Sequence, residues 1–266
     1  MGSLHQIQSG RAVLAAEVIG AGDPVIFLHA SICDRRMWRA QMNAVGATHQ
    51  AIAYDRRGFG DSRAEAEDHS AVADLLSVMD GLTDGRPATL VACSQGGRIA
   101  LDAALTHAAR IRGLVLIAPT VPGAPAAVYP PAVQDQMAEL TQAEASGDLD
   151  RVNAMKARLF LDGPLQPEGR VAGEARQLFL QMHDTALRSA PAGTSVDAIH
   201  TYARLGEIAV PTRVIWGDFD FPHIQERSLR VSTLIRQGEG RAVAGGAHLP
   251  SLDQPDAVSR LLRDVI

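Results

Sequence analysis

Three residue types suited to nucleophilic acyl chemistry stand in this chain at places where the backbone must turn sharply. The first is Ser94, which ends the apolar run Leu90-Val91-Ala92-Cys93 and directly precedes Gln95-Gly96-Gly97. A strand that becomes a helix at one residue forces strained backbone there and presents that side chain on a tight bend. Small neighbours make the bend possible, here Ala92 and Gly96, and Gly97 lets the new helix pack close. The helix start also aims free N–H groups at whatever is bonded to the serine. A serine hydroxyl is a weak nucleophile alone and needs a base held by an acid. Candidates lie downstream. Pro211–Trp216 reads as a buried strand followed by the turn Gly217-Asp218-Phe219-Asp220, and Gly245–Pro250 as a loop carrying His248. The order along the chain is serine, aspartate, histidine.

These residues and the motifs around them resemble the α/β-hydrolase family over nearly the whole chain. Val25–Ser31 is similar to the strand and His-Gly-x turn that supplies half of that family's oxyanion hole. Tyr54–Ser62 is similar to the loop after its next strand, and Gly217–Asp220 to its Gly-x-x-Asp acid turn. Ala247–Pro255 is like the histidine loop of the enol-lactonase branch, and the overall pattern stands nearest to 3-oxoadipate enol-lactonases, esterases and cofactor-free haloperoxidases. Ala30 stands where the family usually has glycine, and Ala92 replaces the first glycine of the elbow; both are small enough for their turns.

The resemblance implies roles. Ser94 is the expected nucleophile, His248 the base, and Asp220 the orienting acid. The family places its acid three residues after the glycine, which selects Asp220 over Asp218. The backbone N–H groups of Ser31 and Gln95 are the expected oxyanion donors. The implied activity is cofactor-independent hydrolysis of a carboxylic ester or lactone. The same triad also serves C–C hydrolysis of ring-cleavage products, acyl transfer and perhydrolysis, and a slow ligand-sensing receptor is a further alternative. Serine at the nucleophile position argues against dehalogenases and epoxide hydrolases, which use aspartate there.

Such a site needs rigid elements beneath it. Arg11–Ile19 alternates as a strand, and Gly113–Ala118 is a continuous apolar run of the kind found in a parallel sheet covered on both faces. Val72, Leu75, Leu76 and Met79 share one helical face. Asp34–Val45 reads as helical with Met37 and Trp38 inward, and Leu229–Ile235 and Val258–Ile266 read as the last helices. Strand and helix alternate, which implies an α/β, doubly wound, mostly parallel sheet. Between Val121 and about Ile208 the alternation stops and only helical faces appear. The expected organisation is a core of residues 1–120 and 209–266 with an all-helical cap over residues 121–208. Met155, Phe160, Phe179 and Met182 on its inward stripes are expected to line the pocket of a small, fairly apolar substrate. Cys93 should point into the fold; His223 follows the acid turn closely, and of its two readings, pocket lining and a surface position, the surface is the expected one.

Composition narrows the classes. The chain has 266 residues, 46% hydrophobic, with a net charge of −5 and Lys156 as its single lysine, a balance that does not favour nucleic-acid or anionic-membrane partners. No apolar stretch approaches the roughly 18 residues of a membrane span, and no secretory leader is expected. Cys33 and Cys93 lack metal-ligand spacing and fit a reducing cytoplasm. No metal site is expected, and Gly20-Ala21-Gly22 lacks the third glycine of a dinucleotide fingerprint. A small ester or lactone is the expected partner.

Overall fold

The structure, a computed structural model, describes residues 2–266. In chain order its elements are β1 (Ser3–Ser9), β2 (Ala12–Ile19), β3 (Pro24–Leu28), α1 (Arg39–Val45), β4 (Gln50–Tyr54), β5 (Arg63–Ala64), α2 (Ala71–Leu82), β6 (Ala88–Cys93), α3 (Gln95–Thr106) and β7 (Ile111–Ile117). Then come α4 (Pro131–Ser146), α5 (Leu149–Lys156), α6 (Gly173–Arg188), α7 (Thr201–Arg204), β8 (Thr212–Gly217), α8 (Pro222–Leu234), β9 (Gly238–Val243), α9 (Pro250–Asp253) and α10 (Pro255–Val265). The sheet order is β1-β2-β4-β3-β6-β7-β8-β9, with β5 paired to β2. β1, β2 and β5 pair antiparallel, and every pairing from β4 to β9 is parallel.

The period-2 alternation of strand side chains divides the core between the two faces of the sheet. Ile26, Leu28, Leu90, Ala92, Leu114 and Leu116 join one buried cluster with Leu75 of α2, Ile99 of α3 and Val231 of α8. Their strand neighbours Val25, Phe27, Val91, Cys93, Val115 and Ile117 join the other, with Trp38, Met42 of α1 and Val258 and Leu262 of α10. Both faces are therefore covered, which is why the central strands read as unbroken apolar runs.

Between β7 and β8 the described residues form helices and no strand, apart from one isolated bridge between His69 and Ser195. Gly147, left-handed at φ 71°, ends α4, and the Asp148 carboxylate caps α5 by accepting from Arg151 N–H at 3.0 Å. α5 runs on as a π-helical stretch, Ala157–Asp162. Val133, Leu140, Val152, Met155 and Leu159 form a third cluster that includes Ala118, Phe221 and Ile224 of the sheet layer.

Three readings of the sequence are corrected. α8 starts at Pro222, seven residues before Leu229, because proline at a helix's first position is already set to helical φ. β9 gave no apolar signal because it is an edge strand whose central residues are exposed. Residues 35–38 form a separate 3₁₀ turn before α1, although Met37 and Trp38 are buried as expected.

Candidate active site

Ser94 occupies the bend between β6 and α3 with φ 51° and ψ −113°, a conformation that costs a residue with a side chain about 1–3 kcal/mol. Hydrogen bonds over-determine it: Ser94 N–H donates to Ile117 O, and Thr120 N–H donates to Ser94 O, each at 2.9 Å. Gly96 explains the close packing of α3, since a Cβ there would stand 2.4 Å from the Leu28 carbonyl oxygen. Ser94 is half-buried, whereas Cys93 is fully buried. The Cys93 thiol points to the His248 carbonyl at 3.8 Å, and burial pushes it well above the ordinary thiol range. His248 and the residue preceding Ser94 are thereby neighbours.

The acid turn and the histidine loop touch through backbone. A Cβ on Gly217 would lie 2.0 Å from Gly246 O, and Phe219 N–H donates to that same oxygen at 2.8 Å. Asp220, 2% exposed, accepts from Phe221 N–H on Oδ1 at 2.7 Å and sits 2.9 Å from His248 Nδ1 through Oδ2. Asp218 faces the other way; it is exposed and accepts from Gly245 N–H at 2.7 Å. Of the two aspartates, Asp220 is the one paired with His248.

Arg170, from the helical segment, clamps the histidine loop. It donates to Gly245 O at 2.8 Å and to Asp253 Oδ2 at 2.6 Å, and that oxygen also accepts from Ala247 N–H at 2.8 Å. Burial raises the Asp253 carboxyl to about 6 while Arg170 opposes the rise.

On the opposite side, the turn after β3 is braced by His29, whose Nδ1 donates to Ala30 O at 2.8 Å and whose Nε2 accepts from Arg56 N–H at 3.0 Å. Burial, helped by the charge of Arg56, holds His29 neutral well below the usual histidine range. In the neighbouring loop, Arg57 is tied to Asp74 (2.8 Å) and Glu67 (2.6 Å), and Asp55 to Arg35. Among the described residues the N–H groups of Ser31 and Gln95 have no acceptor in the protein, and Ser94 Oγ and His248 Nε2 have no hydrogen-bond partner.

The helical segment reaches this centre through Phe160. Its ring lies edge-on to His248 at 5.2 Å and against Phe221 at 5.1 Å. Phe179 and Met182 are fully buried in the same cluster as Cys33, Met37, Cys93 and Leu249, and Met155 lies in the segment's own core. His223 is half-buried, which corrects the surface reading, because its ring is held by Tyr129 at 5.1 Å and Phe221 at 5.6 Å. Phe221-Pro222-His223 beside the acid turn was the available signal for this wall; Tyr129 and Arg170 had none, since their partners are distant in sequence. No cluster of three or more potential metal ligands occurs among the described residues, and none of their helices is long and apolar enough to cross a membrane.

A strained serine at a strand–helix bend, beside a buried His–Asp pair at the C-terminal ends of parallel strands, defines a class, and comparison with known proteins agrees. The alpha/beta hydrolase family model matches residues 25–261, and the chain belongs to that family. It is 27% identical to a putative non-heme chloroperoxidase of Synechocystis over 259 residues, covering 92% of each chain. It is 24% identical to the pimeloyl-[acyl-carrier protein] methyl ester esterase of Nitrosospira multiformis, covering 93% of this chain and 95% of the relative. An esterase from Thermogutta terrifontis superposes with a TM-score of 0.78 at 24% identity, over 98% of this chain and 97% of that one.

Proposed function

We propose that the protein is a serine hydrolase that cleaves a carboxylic ester or lactone through an acyl-enzyme on Ser94. The observation that carries this reading is the positive-φ serine directly after Cys93, whose thiol meets the carbonyl of His248, itself paired with the buried Asp220. Ser94 Oγ attacks the carbonyl carbon while His248 Nε2 takes its proton. Asp220 holds Nδ1–H and stabilises the imidazolium. The tetrahedral oxyanion is received by the N–H groups of Ser31 and Gln95, which have no other acceptor; one such donor is worth roughly 10²–10³ in rate. The alcohol leaves with the proton from His248. A water then gives its proton to His248, attacks the acyl carbon, and frees the acid and Ser94. The Ser94–His248 hydrogen bond closes when substrate binds, as catalytic contacts commonly tighten in the Michaelis complex.

Residues 121–208 act as a cap in this reading. Phe160 against His248 and Arg170 on the histidine loop support that role. Each step uses groups of this chain and water. The test is labelling by a fluorophosphonate with mass-spectrometric mapping, beside a panel of esters and lactones. Ser94 should carry the label, and Ser94→Ala should lower kcat by roughly 10⁴–10⁶, as removal of a serine nucleophile does elsewhere. A label on Cys93, or an active Ser94→Ala, refutes the mechanism.

A further inference from the structure

Two polar atoms that the mechanism does not use are buried on one face of α8, next to the site. His223 Nδ1 and Arg227 Nε are both shut off from solvent without a hydrogen-bond partner. One helical turn separates these residues, so their side chains are neighbours. Leaving such an atom unpaired is costly, although each of the two residues as a whole is half-buried.

Among the described residues no carboxylate lies within ion-pair distance of Arg227. Its helix neighbours three and four residues away are His223, Ile224, Arg230 and Val231, and Glu226 is exposed. Asp220 is close enough for its charge to favour the guanidinium, but no hydrogen bond joins the two, and its oxygens point to Phe221 N–H and His248 Nδ1. Burial lowers the Arg227 pKa, and Asp220 and Tyr129 oppose that. Other arginines with a buried Nε are compensated: Arg35 by Asp55, Arg110 by Asp80, and Arg56 by lying 4.6 Å over the Phe59 ring. His223 is held against Tyr129 and Phe221, in the aromatic wall that continues through Phe160 to His248. Burial and the Arg227 charge bring it to about 4, so it is neutral and free to donate.

We propose that His223 and Arg227 form an anion subsite beside the candidate triad, which takes a carboxylate carried by the acyl part of the substrate. The inference rests on the ester-hydrolase reading and deepens it: the substrate is a half-ester or lactone acid, apolar along the wall and anionic at one end. A planar guanidinium suits a carboxylate, and a neutral imidazole N–H supplies a further donor.

The experiment compares monoethyl succinate, glutarate and adipate with neutral ethyl esters of matching length, for the wild type, Arg227→Met and Arg227→Lys. The wild type should prefer at least one half-ester. In Arg227→Met the ratio of kcat/KM for that half-ester to its neutral counterpart should fall roughly 10–100-fold, mainly through KM, the size of a lost charge-assisted contact. Arg227→Lys should restore part of it. A merely structural arginine would lower both esters together, so an unchanged ratio overturns the subsite. A second arm needs no turnover: glutarate should raise the Tm of the wild type and not of Arg227→Met, and an equal response, including none, overturns the proposal. If neither ester is cleaved and Ser94 takes no label, the hydrolase reading fails while the glutarate arm still decides the subsite.

Discussion

Replacing Asp220 by asparagine tests the proposed base directly, because the structure decides which way the new amide must face. Both oxygens of Asp220 are used as acceptors, Oδ1 for Phe221 N–H at 2.7 Å and Oδ2 at His248 Nδ1, 2.9 Å away. Asparagine has one acceptor oxygen. If that oxygen serves the fixed Phe221 N–H, the amide NH₂ faces Nδ1, which must then be an acceptor. The imidazole proton moves to Nε2, and the nitrogen that should take the Ser94 proton is already occupied. If the oxygen instead serves His248, two N–H donors meet at Phe221, a clash with a backbone that the turn holds in place. The first arrangement is favoured, and the analogous change in serine proteases costs about 10⁴ in kcat. Asp218→Asn is the control: one exposed acceptor toward Gly245 N–H survives in asparagine. We expect Asp220→Asn to lose about 10³–10⁴ in kcat on an activated ester, and Asp218→Asn to stay within about threefold, a difference under 1 kcal/mol. Circular dichroism and Tm establish that both fold. A crippled Asp218→Asn beside a near-normal Asp220→Asn would refute the assignment of the acid.

Gly96→Ala places a Cβ 2.4 Å from Leu28 O, so α3 or the turn after β3 must shift; urea denaturation should show a loss of about 1–3 kcal/mol with a fall in kcat, and an unchanged midpoint and rate would contradict it. His183 is 4% exposed and bonded through Nδ1 to Asn153 Oδ1 at 3.0 Å, and burial, then the charge of Lys156, depresses it to about 4. Its folded pKa lies below the unfolded value of about 6.5, so its stability contribution is present above that pH and is lost as pH falls toward the folded value. Up to about 3 kcal/mol should disappear over that window, and His183→Gln should flatten the slope; parallel curves for both proteins argue against it. Phe160→Ala opens the wall at His248 and should change the preference for long over short acyl esters roughly tenfold, read as a ratio of kcat/KM, whereas a constant ratio would place substrate elsewhere.

The parallel core was legible because each central strand is covered on both faces and therefore spells an apolar run, as Leu90–Cys93 and Leu114–Ile117 do. Ser94 was legible for a different reason: the backbone geometry there excludes all but small neighbours, and sequence records that exclusion as alanine and glycine. Edge elements carried no such constraint. β9 lies at the sheet edge with its central residues exposed; Glu239 pairs with Arg213, and Gly240 leaves room for Ser232 and Trp216, so nothing there required an apolar run. α8 could have been started correctly, since Pro222 is a helix-start signal, but its first turn faces the aromatic wall and its apolar face begins only at Ile224.

Within the site, what spacing could not reveal are contacts made by tertiary approach. Arg170 meets Asp253 across 83 residues, and Tyr129 meets His223 between a linker and a helix that share no local pattern. Charge, too, changes meaning with burial. The inward stripes of the helical segment suggested an apolar substrate because they carry Met155, Phe160, Phe179 and Met182 rather than ions. The relevant cation instead stands on the core helix α8, where Arg227 looks in sequence like any residue of a solvated helix face. Only its enclosure, with Nε shut off from solvent and no acid at either helical spacing, separates it from Arg230 beside it, which is exposed. An apolar wall ending in a half-buried arginine whose Nε is enclosed without a partner would select a ligand with the same division, and that division is a property of the fold rather than of either residue alone.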